Sequence, residues 1–466
     1  MRAENSPVLS ALASAVLMLV LARSGKAAVR LSAVSVVAGG QHTCAMMENN
    51  QTICFGFGTV GRLGTESENN VGGSPAAPLS GGFVKLPPNL KIVAISPGSQ
   101  HSCAVLDNEQ AVCFGWGIFG QLGTESTANV GDSPARPLTN GIVKLPPGRT
   151  AVAITAATLH SCAILDNMQA VCFGSGQYGR LGTESTASVG DSPTRPLSNG
   201  LVKLPPNRTA VAISTGDHHS CVLLDNGQAV CFGDGSFGQL GTDSTALVGD
   251  SSASPLVNGI VKLPTGCIAV AITAGLYHTC TLLDDGRAVC FGYGISGQLG
   301  TESDQNVGNS PASPVINGTV KLPSGRSAVT ISAGYYHVCA ILDNGQAICF
   351  GRGQYGRLGT ESIANVGDSP ARPLTNGIVK LPPGRTAVTI SAASSHSCAM
   401  LDNGQVVCFG LGSVGMLGNE ATPTVGDDSS RPLTDGFVKF PLISVPPLPS
   451  STPSSSSSPT ASSSST

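Results

Sequence analysis

The residues best suited to chemistry in this chain are a histidine and two cysteines that recur on one spacing. His-x-Cys stands at His42, His101, His160, His219, His278, His337 and His396, each 59 residues after the last, and every first cysteine is followed by a second in a Cys-x9-Cys pair. Imidazole beside thiol supports metal ligation or a Cys–His nucleophile, and two thiols support a disulfide. Zinc wants four protein ligands, or three and an open position, and nothing else recurs beside His219, Cys221 and Cys231 to complete a set. Catalysis needs unlike residues converging once, and a ring has no use for seven general bases. His160 and its equivalents therefore read as structural histidines, with no catalytic residue, metal or cofactor assigned.

The seven pairs are Cys44 with Cys54, Cys103 with Cys113, Cys162 with Cys172, Cys221 with Cys231, Cys280 with Cys290, Cys339 with Cys349 and Cys398 with Cys408, each straddling a turn such as Asp225-Asn226-Gly227. A three-residue loop, a type I turn closed by a left-handed Gly, makes Leu224 face Gln228 and Cys221 face Cys231. A two-residue loop shifts the register by one and puts the sulfurs on opposite faces. The seven-fold pairing favours the first and requires left-handed backbone at Glu109 and Met168, where other copies have Gly or Asn. Disulfides are favoured over buried reduced thiols and over a metal site. Cys267 is left over, in a turn where four other copies have Arg149, Arg208, Arg326 and Arg385.

The elements that must position these groups follow from the same period. Of 466 residues, 59 are Gly and 31 Pro, and only 11% are charged, less than half the usual ~25%. Long amphipathic helices are excluded by that composition, and a net charge of −3 offers no footprint for nucleic acid. In the third copy, Ala151 to Ile154 reads as a buried strand a, His160 to Leu165 as b, Ala170 to Gly174 as c and Leu201 to Leu204 as d. Four short strands repeated seven times predict an all-β, seven-bladed β-propeller over residues 32–444. If each strand d joins the blade of the following unit, the C-terminal strand, Val438-Lys439-Phe440, closes the ring.

The string Gly-x-x-His-x-Cys, then Asp-Asn-Gly, then Val-Cys-Phe-Gly-x-Gly-x-x-Gly-Gln-Leu-Gly, seen from Gly216 to Gly241, resembles the repeat of the regulator of chromosome condensation family. All seven units share it. The resemblance implies a propeller serving as an interaction scaffold, in a family that includes exchange factors for small GTPases and secreted inhibitors of β-lactamases. The family's Trp after the second Cys is Phe here (Phe55, Phe114, Phe173, Phe232, Phe291, Phe350, Phe409), which preserves an aromatic core position. Exchange factors carry an inserted β-wedge, whereas every unit here keeps 59 residues, which argues against exchange activity.

Residues 7–22 form an apolar run between Arg2 and Arg23, short for a bilayer span, with small residues at Ala22-x-Ser24 suited to cleavage. Residues 1–24 are expected to be a signal peptide or, uncleaved, a signal anchor and the one route to a membrane. A secreted or cell-surface protein follows, or a cytoplasmic or nuclear one if the segment is no signal. Sequons at Asn50, Asn207 and Asn317 fit export, and residues 445–466, rich in Pro, Ser and Thr, read as a disordered tail.

Among polar residues, Lys85, Lys144, Lys203 and their equivalents read as solvent-facing charges on an outer strand, with a phosphate-binding ring as the alternative. Glu125 with Asp132 lacks the oxygen-rich loop that calcium needs. Arg62, Arg180 and Arg357 interchange with Gln121, Gln239 and Gln298, either as a partner contact or neutrally. The copies differ in two tracts, before the His and after strand c, and in an up-and-down blade both lie at one end of the disk. That end gathers Trp116, Phe119, Tyr178, Phe237, Tyr277, Tyr293, Tyr336 and Tyr355, together with Tyr335, and these predict a surface for a protein partner, a small GTPase among the alternatives. A carbohydrate- or wall-binding module would use the same rings. The opposing expectation is that some rings pack between blades.

Overall fold

A computed structural model of the chain describes residues 28–444. The expected signal segment, 1–24, and the tail, 445–466, lie outside the described residues. Contacts divide the chain into two units. Ser32–Phe440 holds the seven repeats, and the other includes an antiparallel pairing of Ala28–Arg30 with Leu442–Ser444.

Each repeat builds one antiparallel three-stranded sheet in the order a-b-c, with a at Ala151–Ala156, b at His160–Leu165 and c at Ala170–Gly174 in the third copy. Every residue of b and c there is buried, as for strands with a neighbouring sheet on each face. Strand a is innermost, and its copies are knitted to one another: Ala156 N–H donates to Ser96 Oγ, Ala274 N–H to Ser214 Oγ and Ala38 N–H to Ser391 Oγ, each at 3.0 Å. Strand a is less covered than expected. A β-bulge between Ala151 and Ala153 turns Val152 outward, and the equivalents Val34, Val93, Val211, Val270, Val329 and Val388 are half-exposed in the same way.

The fourth strand is shorter than expected and stays at home. Leu201 bridges Val171 of its own repeat, as Phe437 bridges Val407. The chain then leaves the ladder, because Lys203 N–H bonds to the Gly182 carbonyl of its own loop and Leu204 N–H to Val202. Val438-Lys439-Phe440 therefore does not complete the first blade. The segment pairing with the N-terminal end is instead the C-terminal strand Leu442–Ser444.

Closure of the ring uses the same phenyl-on-glycine contact as every other seam. The phenyl ring of each repeat packs on a left-handed glycine of the repeat before it. A Cβ on Gly182 would meet Phe232 at 2.8 Å, and one on Gly418 would meet Phe55 of the first repeat at 2.7 Å. Beneath the rings runs a buried polar relay. His160 Nε2 donates to Ser220 Oγ at 2.8 Å, and that hydroxyl donates to the Arg180 carbonyl at 2.9 Å. His396 to Thr43 to the Met416 carbonyl is the closing copy, at 2.8 and 3.0 Å.

The b–c turn is the three-residue loop. Leu224 N–H bonds to Gln228, and Cys221 sits directly opposite Cys231. The same register recurs in every repeat, so that disulfides join Cys44 to Cys54, Cys103 to Cys113, Cys162 to Cys172, Cys221 to Cys231, Cys280 to Cys290, Cys339 to Cys349 and Cys398 to Cys408. All fourteen of these residues are buried, which places the staples inside the blades. Glu109 (φ 63°) and Met168 (φ 62°) take the left-handed place that Gly227 (φ 77°) fills without strain.

Candidate functional site at the variable end

One residue per repeat decides how the loop after strand c is built. Where it is Gln, the side chain accepts the backbone N–H two residues earlier: Gln121 from Phe119 and Gln239 from Phe237 at 2.8 Å, Gln298 from Ser296 at 3.0 Å. Arg has no acceptor, so the loop flips. Val60, Tyr178 and Tyr355 become left-handed, each inside a 3₁₀ turn. The guanidinium then bonds back to the loop and forward to the next repeat: Arg62 to Thr59 and Ser99, Arg180 to Gln177 and Asp217, Arg357 to Gln354 and Ser394, all backbone carbonyls. All six Arg and Gln residues are buried, so the interchange is neither neutral nor a partner contact. It sets the backbone of the residue two before it, which is aromatic in four of the six: Phe119, Tyr178, Phe237 and Tyr355. Burial lowers Arg62 and Arg357 to about 10, with Tyr335 opposing at Arg62 and the Arg352 charge adding at Arg357.

The a–b and c–d connections do meet at this end. His218 stacks on Tyr277 (5.5 Å between centroids, 15° between planes) and meets the edge of Tyr178 at 5.7 Å. Phe237 touches Tyr277 at 5.2 Å and Tyr293 at 5.0 Å. A continuous aromatic run thus crosses repeats three to five. Arg352 over Tyr336 and Arg357 over Tyr355, both at 5.6 Å, extend aromatic character to the sixth. Trp116 and Phe119 form their own edge-to-face pair at 5.4 Å. Phe119 and Tyr355 are exposed and the other six expected rings half-buried, a state between a free surface and a packed seam.

Tyr335 turns away from the surface. It crosses the axis, where its hydroxyl meets Thr158 Oγ1 at 3.0 Å, and it lines a cavity of about 100 Å³ at the mouth of the ring with Ser99, Thr158, Asp217 and Ser394. A pocket for a small organic ligand is several times larger. Beside this mouth Arg180 joins a group whose other members the sequence did not single out. Arg180 Nη2 donates to His218 Nδ1 at 3.2 Å, which requires a neutral ring, and His218 Nε2 lies 3.1 Å from Asp217 Oδ2. Burial, with Arg180 adding, holds His218 below its ordinary value against the pull of Asp217. Column-by-column comparison of the copies would have found it, since Asp217 is a carboxylate where the others have Gly40, Ser99, Thr158, Leu276, Tyr335 and Ser394.

Elsewhere the conspicuous charges are engaged within their own repeats. Lys85, Lys144, Lys203, Lys262, Lys321, Lys380 and Lys439 pair with Glu66, Glu125, Glu184, Asp243, Glu302, Glu361 and Glu420 at 3.0–3.8 Å. Asp132 takes Arg136. Cys267 is a free, half-buried thiol whose sulfur accepts from Arg287 at 3.1 Å. Asn50, Asn207 and Asn317 are exposed.

Fold and site together define a seven-bladed β-propeller of disulfide-stapled blades, uniform at one end and divergent at the other. Units three to seven carry matches to models of the regulator of chromosome condensation repeat. Two family models, both described as the Regulator of chromosome condensation (RCC1) repeat, match residues 210–239, 269–298, 328–357 and 387–415, and residues 172–223, 285–341 and 344–400. The human E3 ubiquitin-protein ligase HERC2 is 26% identical over 79% of this chain, which spans 7% of that relative. The ultraviolet-B receptor UVR8 of Arabidopsis thaliana is 26% identical over 70% of this chain and 66% of its own length. Among solved structures, human WBSCR16 superposes with a TM-score of 0.60 at 17% identity, covering 79% of this chain and 86% of its own. Prp20p of Saccharomyces cerevisiae, described with its binding to Gsp1p and histones, gives 0.56 at 19%, covering 86% and 88%.

Proposed function

We propose that this protein is a non-catalytic scaffold of an oxidising compartment that binds a partner protein through the variable end of its propeller. The observation that carries it is the aromatic run Tyr178, His218, Tyr277, Phe237 and Tyr293, contiguous at the end where the copies diverge. Rings presented from loops on a rigid frame supply large contact area at little entropic loss. Seven disulfides support export. Among the described residues no helix is long and apolar enough to cross a membrane.

The test is capture of a partner by the secreted protein, identified by cross-linking, and repeated with Tyr277→Ala/Tyr293→Ala and with Asn226→Asp in a b–c turn. The proposal expects loss with the first and retention with the second. The opposite pattern overturns it. Accelerated nucleotide release from a small GTPase, or binding to a glycan array with no protein captured, would move the assignment to an exchange factor or a carbohydrate-binding module.

A further inference from the structure

Resting on the variable end as the partner surface, we infer that the axial mouth of the propeller takes a lysine side chain of the partner protein, its ammonium seated on Asp217. The fourth repeat departs from the others in charge at both variable positions: Asp217 stands where the other copies are uncharged, and Asp234 where they have Phe57, Trp116, Ser175, Tyr293, Arg352 and Leu411. The two carboxylates lie near one guanidinium, that of Arg180, whose three nitrogens each already bond within the chain, to Gln177, the Asp217 backbone and His218, while Asp234 also accepts from Ser236. The sixth repeat is opposite in sign at its surface, with Arg352 over Tyr336 and no ion pair to it among the described residues. The surface therefore favours a cation at one sector and an anion at another.

Asp217 is also incompletely bonded. Oδ2 faces His218, while Oδ1 is buried with no hydrogen-bond partner. A buried carboxylate oxygen without a donor is costly, and a charged donor supplies the strongest available bond. Asp217 lines the mouth cavity with Thr158, Ser99 and Tyr335, whose hydroxyls add acceptors. About 100 Å³ walled by small residues suits one unbranched chain. Lysine ends in a compact head with three rotatable donors, whereas the arginine fork is planar and broad.

The test is a displayed library of random heptapeptides selected on the full secreted chain, with Tyr277→Ala/Tyr293→Ala as the counter-screen. Peptides that need the two tyrosines should share a lysine at one position. In the strongest synthetic peptide, lysine replaced by norleucine should bind about tenfold more weakly to the wild type, and by much less to Asp217→Asn. Equal loss on both proteins, or tyrosine-dependent peptides without a common lysine, overturns the lysine assignment and leaves the surface standing. A selection with no tyrosine-dependent peptide overturns both. The norleucine peptide should bind Asp217→Asn about as well as it binds the wild type, which shows that the variant is folded and separates the expected result from a folding defect.

Discussion

The buried histidine layer and the variable end are made by the same seven repeats, and they treat repetition in opposite ways. In the layer each copy must complete its neighbour, so a change in one repeat is felt in the next: His219 needs Thr279, and Thr279 needs the Gln239 carbonyl. At the end, side chains point past the seam, and Asp217, Leu276 and Tyr335 occupy equivalent places without disturbing the blades. Stability lives where the copies agree, and the proposed recognition where they differ. One seam breaks the rule. Val338 replaces the hydroxyl residue, and both nitrogens of His278 are buried and unpartnered.

The largest expected effect is on the layer as a whole. Burial depresses all seven histidines, His101, His219 and His396 to about 3, His278 to about 4, and His42, His160 and His337 well below the ordinary 6.5, with neighbouring Arg62, Arg180 or Arg357 adding at several. The unfolded chain takes up these protons near pH 6.5, and the folded chain does not until far lower. Stability is therefore full above pH 6.5 and is lost as pH falls below it, by about 1.4 kcal/mol per histidine per unit. Calorimetry from pH 7 to pH 5 should record a steep drop in Tm, and a flat profile would refute the neutral layer.

Next comes the other region alone. Tyr277→Ala with Tyr293→Ala should weaken partner binding by about 2 kcal/mol each, roughly thirtyfold, with the melting transition nearly unmoved. A collapse of Tm instead would mean the two regions are not separable. Smaller again is the loss of one staple. Cys221→Ser/Cys231→Ser removes a short-loop bridge of up to about 2–3 kcal/mol, measured by denaturant titration, while leaving capture intact. Non-reducing mass spectrometry should first find the bridges formed, and free thiols in the exported protein would contradict them.

The smallest effect sharpens the exception. Val338→Thr is nearly isosteric and restores an acceptor for His278 Nε2 and a donor to the Gln298 carbonyl, a gain of about 1 kcal/mol. The same change, Val222→Thr, on a residue of the strand outside the relay should give none. Equal outcomes would show that the broken seam carries no special weakness.

Much of the blade was legible because it rests on local chemistry repeated without a gap. The turn length followed from where Cys221 and Cys231 must meet, and strands b and c came out to the residue. Strand d did not, since the Lys203 N–H is claimed by Gly182, a loop residue with no sequence mark of that role. The exposed valines were missed for a similar reason: Val152 lies in an apolar run, and only the bulge turns it outward.

By itself the sequence determined the repeat, the ring of seven, the register of each hairpin and the end at which the copies diverge, because all of these depend on spacing along the chain. The tertiary structure alone decided which divergent residues touch. Arg in place of Gln flips a loop and turns the residue two before it, Tyr178 or Tyr355 among them, into the left-handed region. Tyr335 and Thr158 meet across the axis although 177 residues separate them. Such contacts depend on the closure of the ring, which brings distant repeats face to face and which no single repeat encodes.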